Sequence, residues 1–437
     1  MVISKSVKAT LKKHMLVDGK DLILDLDKSH DSWIVDKRTG EEYLDLYSMY
    51  ASQCVGYNHP SMLQIKDQLG RVALLKPTNS EIYTEEMAEF VDTFSRVGIP
   101  SYLPYAFFIE GGALAVENAL KVAFDWKVRK NIAKGVSKDK GRQVIHFKDA
   151  FHGRSGYTLS LTNTANPDKT KYFPKFNWPR IDNPKVNFPL TDQALKEIKE
   201  SEAKAICQIK DALAENQDDI AALIIEPIQS EGGDFHFRKE FMQALRQLCW
   251  ENEILFILDE VQTGVGITGK FWAHEHDEIE PDIISFGKKS QVCGILTGKR
   301  VDEIKENVFH TSSRIASTWG GNLLDMVRFT QILRIIEQDK LLANAAQQGA
   351  FLLEKLQNMA DTFPDILNNP RGKGLLCAVD FASESARDNF LKLASDERLL
   401  IIGCGHTSIR FRPNLTISRS ELNYGLDIMQ KLIPKVY

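Results

Sequence analysis

The sequence is poor in cysteine and has no long hydrophobic run. Its six cysteines are scattered and none forms a CxxC pair, so we expect reduced thiols, as in a cytoplasm. No stretch approaches the length needed to span a bilayer, and residues 1–19 lack the apolar core of a secretory signal. The lysines of that segment fit a basic amphipathic first helix, the simpler interpretation, or a transit peptide, although arginine is absent there. These absences predict a soluble, cytoplasmic protein.

A large charge of one sign is also missing. The net charge is −4, which offers no electrostatic case for binding nucleic acid or a membrane. Hydrophobic residues make up 43% and charged residues 26% of the chain, as is typical of a soluble globular protein. We therefore expect small molecules as partners. A chain of 437 residues exceeds what one core usually supports, so two domains are predicted.

Between residues 58 and 319, short apolar runs alternate with stretches of helical periodicity. Helices are predicted at Val116–Lys127 and Lys239–Glu251, among others. This alternation is typical of βαβ units, so we predict an α/β fold in which residues 58–319 form a large domain with a mostly parallel sheet. The predicted strands are Tyr105–Ile109, Gln143–Phe147, Ala221–Ile225, Ile254–Leu258 and Ile283–Phe286.

The two ends of the chain differ in pattern from its centre. Near the start, short runs from Leu22–Asp27 to Tyr43–Leu46 predict a small antiparallel meander. After a long helical region, the C-terminal part returns to short strands, such as Leu375–Phe381, mixed with helices. We predict that residues 1–57 and 320–437 together form a small α+β domain.

Two charged residues follow two of the predicted strands. Asp259 follows Ile254–Leu258, and Lys288 comes just after Ile283–Phe286. If these strands are parallel neighbours, an acid and an amine meet at the sheet edge where ligands collect. Such a pair suits pyridoxal 5'-phosphate, which needs an amine for a Schiff base with its aldehyde and an anion opposite its ring nitrogen. The pattern alone does not separate Lys288 from Lys289 as the Schiff-base lysine.

Other candidates lie at the same predicted edge. Gly111 and Gly112 follow a strand and open a helix, a geometry that suits a phosphate but also a simple tight turn. Phe151 offers a ring that can lie flat on a cofactor, and Arg154 a planar fork for a carboxylate. A core phenylalanine and a surface arginine are the plainer interpretations. No Walker-type or dinucleotide motif follows, which disfavours nucleotide triphosphates and NAD.

A metal site and a hydrolase nucleophile are both disfavoured. The segment His274–Asp277 has the composition of a metal cluster, but alternating polar residues on a loop are usually solvated, and no distant third ligand is evident. No serine or cysteine has the context of a nucleophile motif. We therefore expect no bound metal.

Longer motifs resemble the class III (omega) aminotransferases, a family of fold-type-I pyridoxal-phosphate enzymes, nearly from end to end. The segment Leu258–Gly264, followed by Ser285–Lys288, is similar to the specific signature of this family and implies that Lys288 is the Schiff-base lysine. Other motifs are similar to those of members that act on the terminal amino group of lysine. These are Glu110–Lys121, Phe151–Ser160, Phe173–Arg180, Glu226–Asp234 and Phe286–Gly294.

The resemblance implies how the cofactor is held. Asp259 would bind the pyridine nitrogen and Gln262 the phenolic oxygen. Thr318 would reach the phosphate of the other subunit, which makes a homodimer with shared active sites obligatory. The remaining contacts would come from Gly112 and Ala113 on the phosphate and from Phe151 and Val261 on the two ring faces.

The resemblance also implies the reaction and its substrate contacts. The terminal amino group of L-lysine would move to 2-oxoglutarate, giving L-glutamate and L-2-aminoadipate 6-semialdehyde, which cyclises to piperideine-6-carboxylate. Arg154 would hold the carboxylate of lysine and Arg410 that of 2-oxoglutarate. Glu231 would pair with Arg410 in one half-reaction and withdraw in the other. Ser317 is implied as a further substrate contact.

One departure from the family pattern affects specificity. Ala316 stands where the pattern has asparagine, so a substrate contact from that side chain is missing. Three alternatives stay open. Another amine donor, such as ornithine, acetylornithine or 4-aminobutyrate, would suit the same chemistry; an aminomutase on the same fold would need no added 2-oxoglutarate; and a non-catalytic protein would show no Schiff-base absorption.

Overall fold

The computed structural model describes residues 3–437, whose strands form four sheets. Apolar and β-branched runs supply most of the strands. The sixteen strands of the described residues are β1 Trp33–Val35, β2 Glu42–Asp45, β3 Tyr105–Ile109, β4 Gln143–Phe147, β5 Arg180–Ile181, β6 Ile220–Ile225, β7 Ile228–Gln229, β8 Phe235–His236, β9 Leu255–Asp259, β10 Ile283–Phe286, β11 Cys293–Thr297, β12 Leu367–Lys373, β13 Leu376–Phe381, β14 Leu399–Leu400, β15 Ile402–Cys404 and β16 Ser408–Phe411.

Helices flank and connect these strands. Several begin at a hydroxyl that accepts a bond from the backbone amide three residues on, as Thr84, Thr191 and Ser383 do. The helical segments of residues 3–437, short 3₁₀ turns aside, are α1 Val7–Leu11, α2 Ser48–Ala51 (a single left-handed turn), α3 Pro60–Leu63, α4 Lys66–Leu75, α5 Glu85–Val97, α6 Gly112–Ala133, α7 Gly156–Leu161, α8 Asp192–Glu215, α9 Ser230–Gly233, α10 Lys239–Glu251, α11 Leu323–Gln338, α12 Leu341–Thr362, α13 Glu384–Asp396 and α14 Arg419–Leu432.

The central sheet has the strand order β3-β11-β10-β9-β6-β4-β5. Strands β10, β9, β6, β4 and β5 run parallel, whereas β11 pairs antiparallel with both β10 and β3. Every residue of β6, β9 and β10 is buried, as expected of strands that are covered on both faces. The predicted fold class, a mostly parallel sheet with flanking helices, is confirmed. The register places Ser285 of β10 opposite Asp259 of β9, so both strands end at the same edge.

Two hydrophobic cores cover the faces of this sheet. Because successive side chains of a strand point to opposite faces, Ile283 enters the core beneath α6 and Ile284 the core beneath α5 and α11. The core beneath α5 and α11 is rich in aromatic rings, and the ring centroids of Phe94 and Phe286 are 5.5 Å apart. Each such buried side chain contributes about 1.5–3 kcal/mol through the hydrophobic effect. The sheet edge that carries Asp259 and Lys288 therefore rests on a rigid support.

Segments from both ends of the chain meet in one small sheet. Strand β14 pairs in parallel with β2, with Leu399 opposite Leu44, and β2 pairs antiparallel with β1. Strands β12-β13-β16-β15 form a separate four-stranded sheet. The boundaries of residues 1–57, 58–319 and 320–437 stay a prediction.

The predicted strand Leu22–Asp27 is wrong. Only Leu24 forms an isolated bridge, to Asp36. The Oδ1 atom of Asp25 accepts bonds from the backbone N–H groups of Asp27 and Lys28, which turns the chain before a ladder can form. The predicted first helix is present as α1, and residues 1 and 2 lie outside the described residues. Within residues 3–437, each helix is too short or too polar to cross a bilayer.

Candidate active site

Asp259 and Lys288 lie at the adjoining ends of β9 and β10, as the sequence predicts. Gly287 separates β10 from Lys288, and a Cβ atom at Gly287 would lie 2.8 Å from the Sγ atom of Cys293, so only glycine fits. Lys288 itself has a φ of 54°, in the left-handed region that side chains seldom adopt. Backbone strain of this kind is concentrated at functional sites, where the surrounding structure holds it in place.

The surroundings of Lys288 favour its neutral form. Burial lowers the pKa of Lys288, and Arg410 lowers it further, while Asp259 and Glu231 act in the opposite direction. A neutral amine is the form that can attack an aldehyde or accept a proton near neutral pH. The pKa of Lys288 is therefore shifted in the direction that its predicted role requires.

Lys289 has different surroundings. It is 1% exposed, and its Nζ atom has no hydrogen-bond partner among the described residues. Burial lowers the pKa of Lys289 to about 7, and the charged or titratable groups that also act on it are Cys54, Arg412 and Lys288. Asp259 and Glu231 act on Lys288 alone of the two lysines. This difference supports Lys288 as the residue that faces the site.

Three groups hold the carboxylate of Asp259. The Nδ1 atom of His152 lies 2.8 Å from Oδ2, while the hydroxyl of Ser285 and the backbone N–H of Val261 each donate to Oδ1 at 3.1 Å. Asp259 and His152 are both buried. A role for His152 was not predicted from the sequence, although this residue stands beside Phe151 in the motif Phe151–Ser160. These contacts fix the direction in which the carboxylate faces the site.

The start of α6 packs against Val261 and against Gly153, which lies two residues after Phe151. A Cβ atom at Gly112 would lie 2.8 Å from Cγ1 of Val261, and one at Gly153, two residues after Phe151, would lie 2.6 Å from Cβ of Ala113. The first N–H groups of a helix have no partner within the helix and carry partial positive charge, so they suit a phosphate. The predicted phosphate and ring contacts are thus adjacent.

A buried acid that the sequence interpretation did not assign positions Phe151. The carboxylate of Glu226 accepts bonds from the backbone N–H of Phe151 at 2.9 Å and from that of Ser230 at 3.2 Å. Burial raises the pKa of Glu226 to about 7. Glu226 therefore ties the loop of Phe151 to the start of α9, which carries Glu231.

Arg410 and Glu231 form a partly buried ion pair next to the predicted cofactor site. Nη2 of Arg410 lies 2.5 Å from Oε2 of Glu231, and Nη1 donates to Oε1 of Gln262 at 3.3 Å. Arg412 also donates to this oxygen, at 3.2 Å. Because both bonds use the amide oxygen of Gln262, its Nε2 group is the one that could donate to a phenolic oxygen.

Lys169 is a second cation on Glu231 and was not predicted. Its Nζ atom lies 2.5 Å from Oε1 of Glu231 and 5.7 Å from the centre of the Phe151 ring. Burial acts to raise the pKa of Glu231, but Arg410 and Lys169 outweigh it and hold this pKa below its usual value. Nothing in the local sequence pattern around Lys169 points to Glu231.

Three of the predicted site residues lie apart from the cluster of Lys288, Asp259, Glu231 and Arg410. Arg154 is exposed, with its guanidinium 5.9 Å from the centre of the Phe151 ring. Ser317 is half-buried and Thr318 is exposed. Neither of these two side chains has a hydrogen bond to Lys288 or Asp259 within residues 3–437. Their predicted roles therefore depend on substrate or on a second subunit.

The histidines of His274–Asp277 serve the fold. His274 Nδ1 lies 2.9 Å from Glu260, and His276 Nε2 lies 3.1 Å from the Thr268 hydroxyl. In residues 3–437, no group of three or more histidine, cysteine, aspartate or glutamate side chains could hold a metal ion.

This set of side chains and backbone groups fits pyridoxal 5'-phosphate. It combines the half-buried amine of Lys288, whose pKa is lowered, a fixed carboxylate, and a helix start at which a side chain on Gly112 would fill the space beside Val261. An aldehyde, a protonated ring nitrogen and a phosphate are the groups that this set would bind.

Comparisons with known proteins agree with this site. The chain matches the sequence model of the class III aminotransferases over residues 15–433. L-lysine-epsilon aminotransferase of Mycobacterium tuberculosis is 47% identical over 433 residues, covering 98% of this chain and 96% of that protein. A solved structure of lysine aminotransferase from M. tuberculosis, in the internal aldimine form, has a TM-score of 0.97 and 46% identity, covering 100% of both chains.

A mitochondrial 4-aminobutyrate aminotransferase of Sus scrofa is more distant, at 31% identity over 93% of this chain and 84% of that protein. The family match spans nearly the whole length of the chain and includes every predicted site residue. The chain belongs to the class III aminotransferase family and is a pyridoxal-phosphate-dependent aminotransferase that acts on amino and keto acids.

Proposed function

We propose that this enzyme transfers the terminal amino group of L-lysine to 2-oxoglutarate, forming L-2-aminoadipate 6-semialdehyde and L-glutamate. The observation that carries the proposal is the ion pair of Arg410 and Glu231 close to Lys288. Arg410 can bind the second carboxylate of a keto acid, and Glu231 can neutralise Arg410 when an uncharged carbon chain lies there. The 47% identity to a relative named for lysine supports lysine as the donor.

Pyridoxal phosphate, when bound, supplies an electron sink for the carbon that carries the amino group. Asp259, oriented by His152 and Ser285, would keep the ring nitrogen protonated. Gly112 and Ala113 would hold the phosphate. Phe151 and Val261 would cover the two faces of the ring, and Gln262 would bond the phenolic oxygen.

Lys288 would have two tasks in this mechanism. It would hold the cofactor between turnovers, and during turnover it would act as the base. Its lowered pKa supports this second task, because a neutral amine could take up the proton of the terminal carbon of lysine. Lys288→Ala is expected to bind substrate without turning it over.

Arg154 and Ser317 would hold the far end of lysine. The reacting amine of lysine is separated from its carboxylate by the length of the side chain, so the carboxylate needs a cation away from Lys288. The exposed guanidinium of Arg154, which lies over Phe151, is available for this contact. A planar guanidinium can bind a carboxylate through two parallel hydrogen bonds.

We also propose a homodimer with shared active sites, located in the cytoplasm. Thr318 is exposed on a segment that follows the central sheet, which supports a contact with the phosphate bound by another subunit. The six cysteines are free, which supports a reducing compartment.

The test follows each nitrogen of lysine separately. Purified enzyme is incubated with 2-oxoglutarate and with lysine labelled with ¹⁵N either at the terminal or at the α position. Mass spectrometry then measures the label in glutamate. We expect transfer from the terminal position only, together with the cyclised product. Transfer of the α label would overturn the proposal. Faster transfer from ornithine, acetylornithine or 4-aminobutyrate would show that this amine, and not lysine, is the preferred donor.

A further inference from the structure

Glu231 contacts two cations at the same time, through different oxygens. Its Oε2 atom lies 2.5 Å from Nη2 of Arg410, and its Oε1 atom lies 2.5 Å from Nζ of Lys169. The side chain of Lys169 is 15% exposed and that of Arg410 is 2% exposed. One carboxylate thus links the four-stranded sheet that carries Arg410 to the loop that carries Lys169.

The loop holds Lys169 in a defined position. The side chain of Asn166 caps the short turn Pro167–Lys169 by accepting a bond from the backbone N–H of Asp168 at 2.9 Å. The Nζ atom of Lys169 lies 3.4 Å from the hydroxyl of Thr164 and near the face of Phe151. Lys169 therefore contacts Oε1 of Glu231 while Arg410 contacts Oε2.

Binding of a dicarboxylate creates an electrostatic problem at Glu231. When the second carboxylate of 2-oxoglutarate binds Arg410, Oε2 of Glu231 must give up its contact, because one guanidinium edge cannot serve both anions. A partly buried carboxylate that loses its only cation is destabilised, which costs free energy of binding. Lys169 removes this cost, because Oε1 keeps a cation when Oε2 loses one.

We propose that Lys169 is a positioning residue that retains Glu231 whenever Arg410 binds the keto acid. This inference rests on the proposed two-substrate function of the site. Without Lys169, Arg410 is the only cation that contacts Glu231. The ion pair of Arg410 and Glu231 then becomes stronger, and the keto acid competes less well for Arg410. Lysine, whose carbon chain leaves the pair of Arg410 and Glu231 intact, depends less on Lys169.

The test compares both substrates in matched variants. We expect Lys169→Met to raise the KM for 2-oxoglutarate about tenfold, the effect of roughly one ion pair, and to change the KM for lysine less than about twofold. Lys169→Arg is expected to restore the wild-type value. The control is Lys171→Met, which removes an exposed cation of the same loop that pairs with Asp168.

A binding measurement makes the test independent of turnover. Calorimetry with glutarate, an unreactive dicarboxylate, is expected to show a Kd about tenfold weaker in Lys169→Met than in wild type or Lys171→Met. An unchanged Kd would overturn the inference. If wild type binds glutarate but does not consume lysine, the proposed function fails while the role of Lys169 is still decided by the Kd.

A double variant separates action through Glu231 from direct contact with substrate. In a Glu231→Gln background, Arg410 has no anion to release, so adding Lys169→Met should leave the KM for 2-oxoglutarate and the Kd for glutarate unchanged. A further tenfold loss in this background would show that Lys169 binds the dicarboxylate itself, and the inference would be wrong. Equal melting temperatures of the variants exclude a general loss of structure.

Discussion

Lys289 is an amine that the fold buries without a partner. Its side chain is 1% exposed, its Nζ atom has no hydrogen-bond partner among the described residues, and burial lowers its pKa to about 7. An unfolded chain keeps a lysine protonated up to about pH 10. Between these two values the unfolded chain binds a proton that the folded chain lacks. The free energy of unfolding therefore falls as the pH falls from about 10 to about 7.

Lys289→Met is expected to remove this dependence. Methionine has a similar size and no charge to bury, so the variant should be more stable than wild type at pH 7, by up to about 5 kcal/mol, and nearly equal to it at pH 10. Thermal melting at both pH values measures the difference. Lys171→Met, at an exposed site, serves as the control. The same gain at pH 7 and pH 10 would contradict the argument from burial.

The two lysines after β10 show what a local pattern leaves open. Neither spacing nor residue type separates Lys288 from Lys289, and only the family signature favoured the first. In the fold, Asp259, Glu231 and Arg410 act on Lys288, while Lys289 is buried near Cys54. The direction of a side chain after a strand end depends on backbone angles such as the φ of 54° at Lys288, which no periodicity reveals.

Among secondary-structure elements, α6 begins at the proposed cofactor site. Its first residue, Gly112, packs against Val261, which follows β9, and Ala113 packs against Gly153. The helix start is therefore held between the loops that follow β9 and β4 of the central sheet. A side chain added at Gly112 must displace Val261 or move the helix away from the place where a phosphate would bind.

Gly112→Ala is expected to weaken cofactor retention about tenfold while changing the melting temperature of the cofactor-free protein little. The added methyl group would lie 2.8 Å from Cγ1 of Val261, which is closer than van der Waals contact allows. Val261→Ala removes that atom, so the double variant should recover most of the affinity. Fluorescence titration with pyridoxal phosphate measures the Kd. A Kd that does not recover in the double variant would contradict a steric cause.

Strands β3, β4 and β10 have the predicted bounds, and β6 and β9 differ from theirs by one residue at one or both ends. In β6, β9 and β10, burial on both faces leaves a strong apolar pattern. Strand β11, although buried and apolar, and the more polar strand β12 were missed. Strand β12 contains a proline, two asparagines and two basic residues, yet it pairs with β13 at the margin of its sheet. Its pairing depends on a partner elsewhere in the chain, which local pattern does not contain.

The residues of the site also differ in whether the sequence alone could predict them. Residues that follow apolar strands, such as Asp259, could be placed at the sheet edge from the sequence. His152 and Lys169 could not, because each acts through one contact to a residue 62 or more positions away, at Asp259 and Glu231 respectively. Such contacts arise only when several loops pack together.

At the scale of the whole molecule, the chain ends and the active site are connected. Strand β14 pairs with β2, and Arg410, on the neighbouring four-stranded sheet, reaches Glu231 beside the central sheet. Arg412, two residues on, bonds Gln262 after β9. The C-terminal sheet therefore brings Arg410, the proposed contact of the keto acid, to a site whose acid and amine belong to the central sheet.

The proposed sharing of sites between two subunits leads to a complementation test. If Thr318 of one subunit contacts the phosphate bound by the other, each site draws Lys288 and Thr318 from different chains. Thr318→Glu, which sets an anion beside the phosphate, and Lys288→Ala should each abolish turnover alone. Random mixing makes about half of the dimers heterodimers, each with one site free of both substitutions, so about a quarter of wild-type activity should return.

A second mixture provides the control. Asp259 and Lys288 occupy adjoining strand ends of the same chain, so a heterodimer of Asp259→Asn with Lys288→Ala leaves one defect in each site, and no activity should return. Activity per dimer of the unfractionated co-expressed mixture measures both cases, and two affinity tags show that heterodimers have formed. If neither mixture recovers activity although heterodimers form, Thr318 serves the site of its own subunit. Recovery in the first mixture and not in the second requires that the two residues of one working site come from two chains.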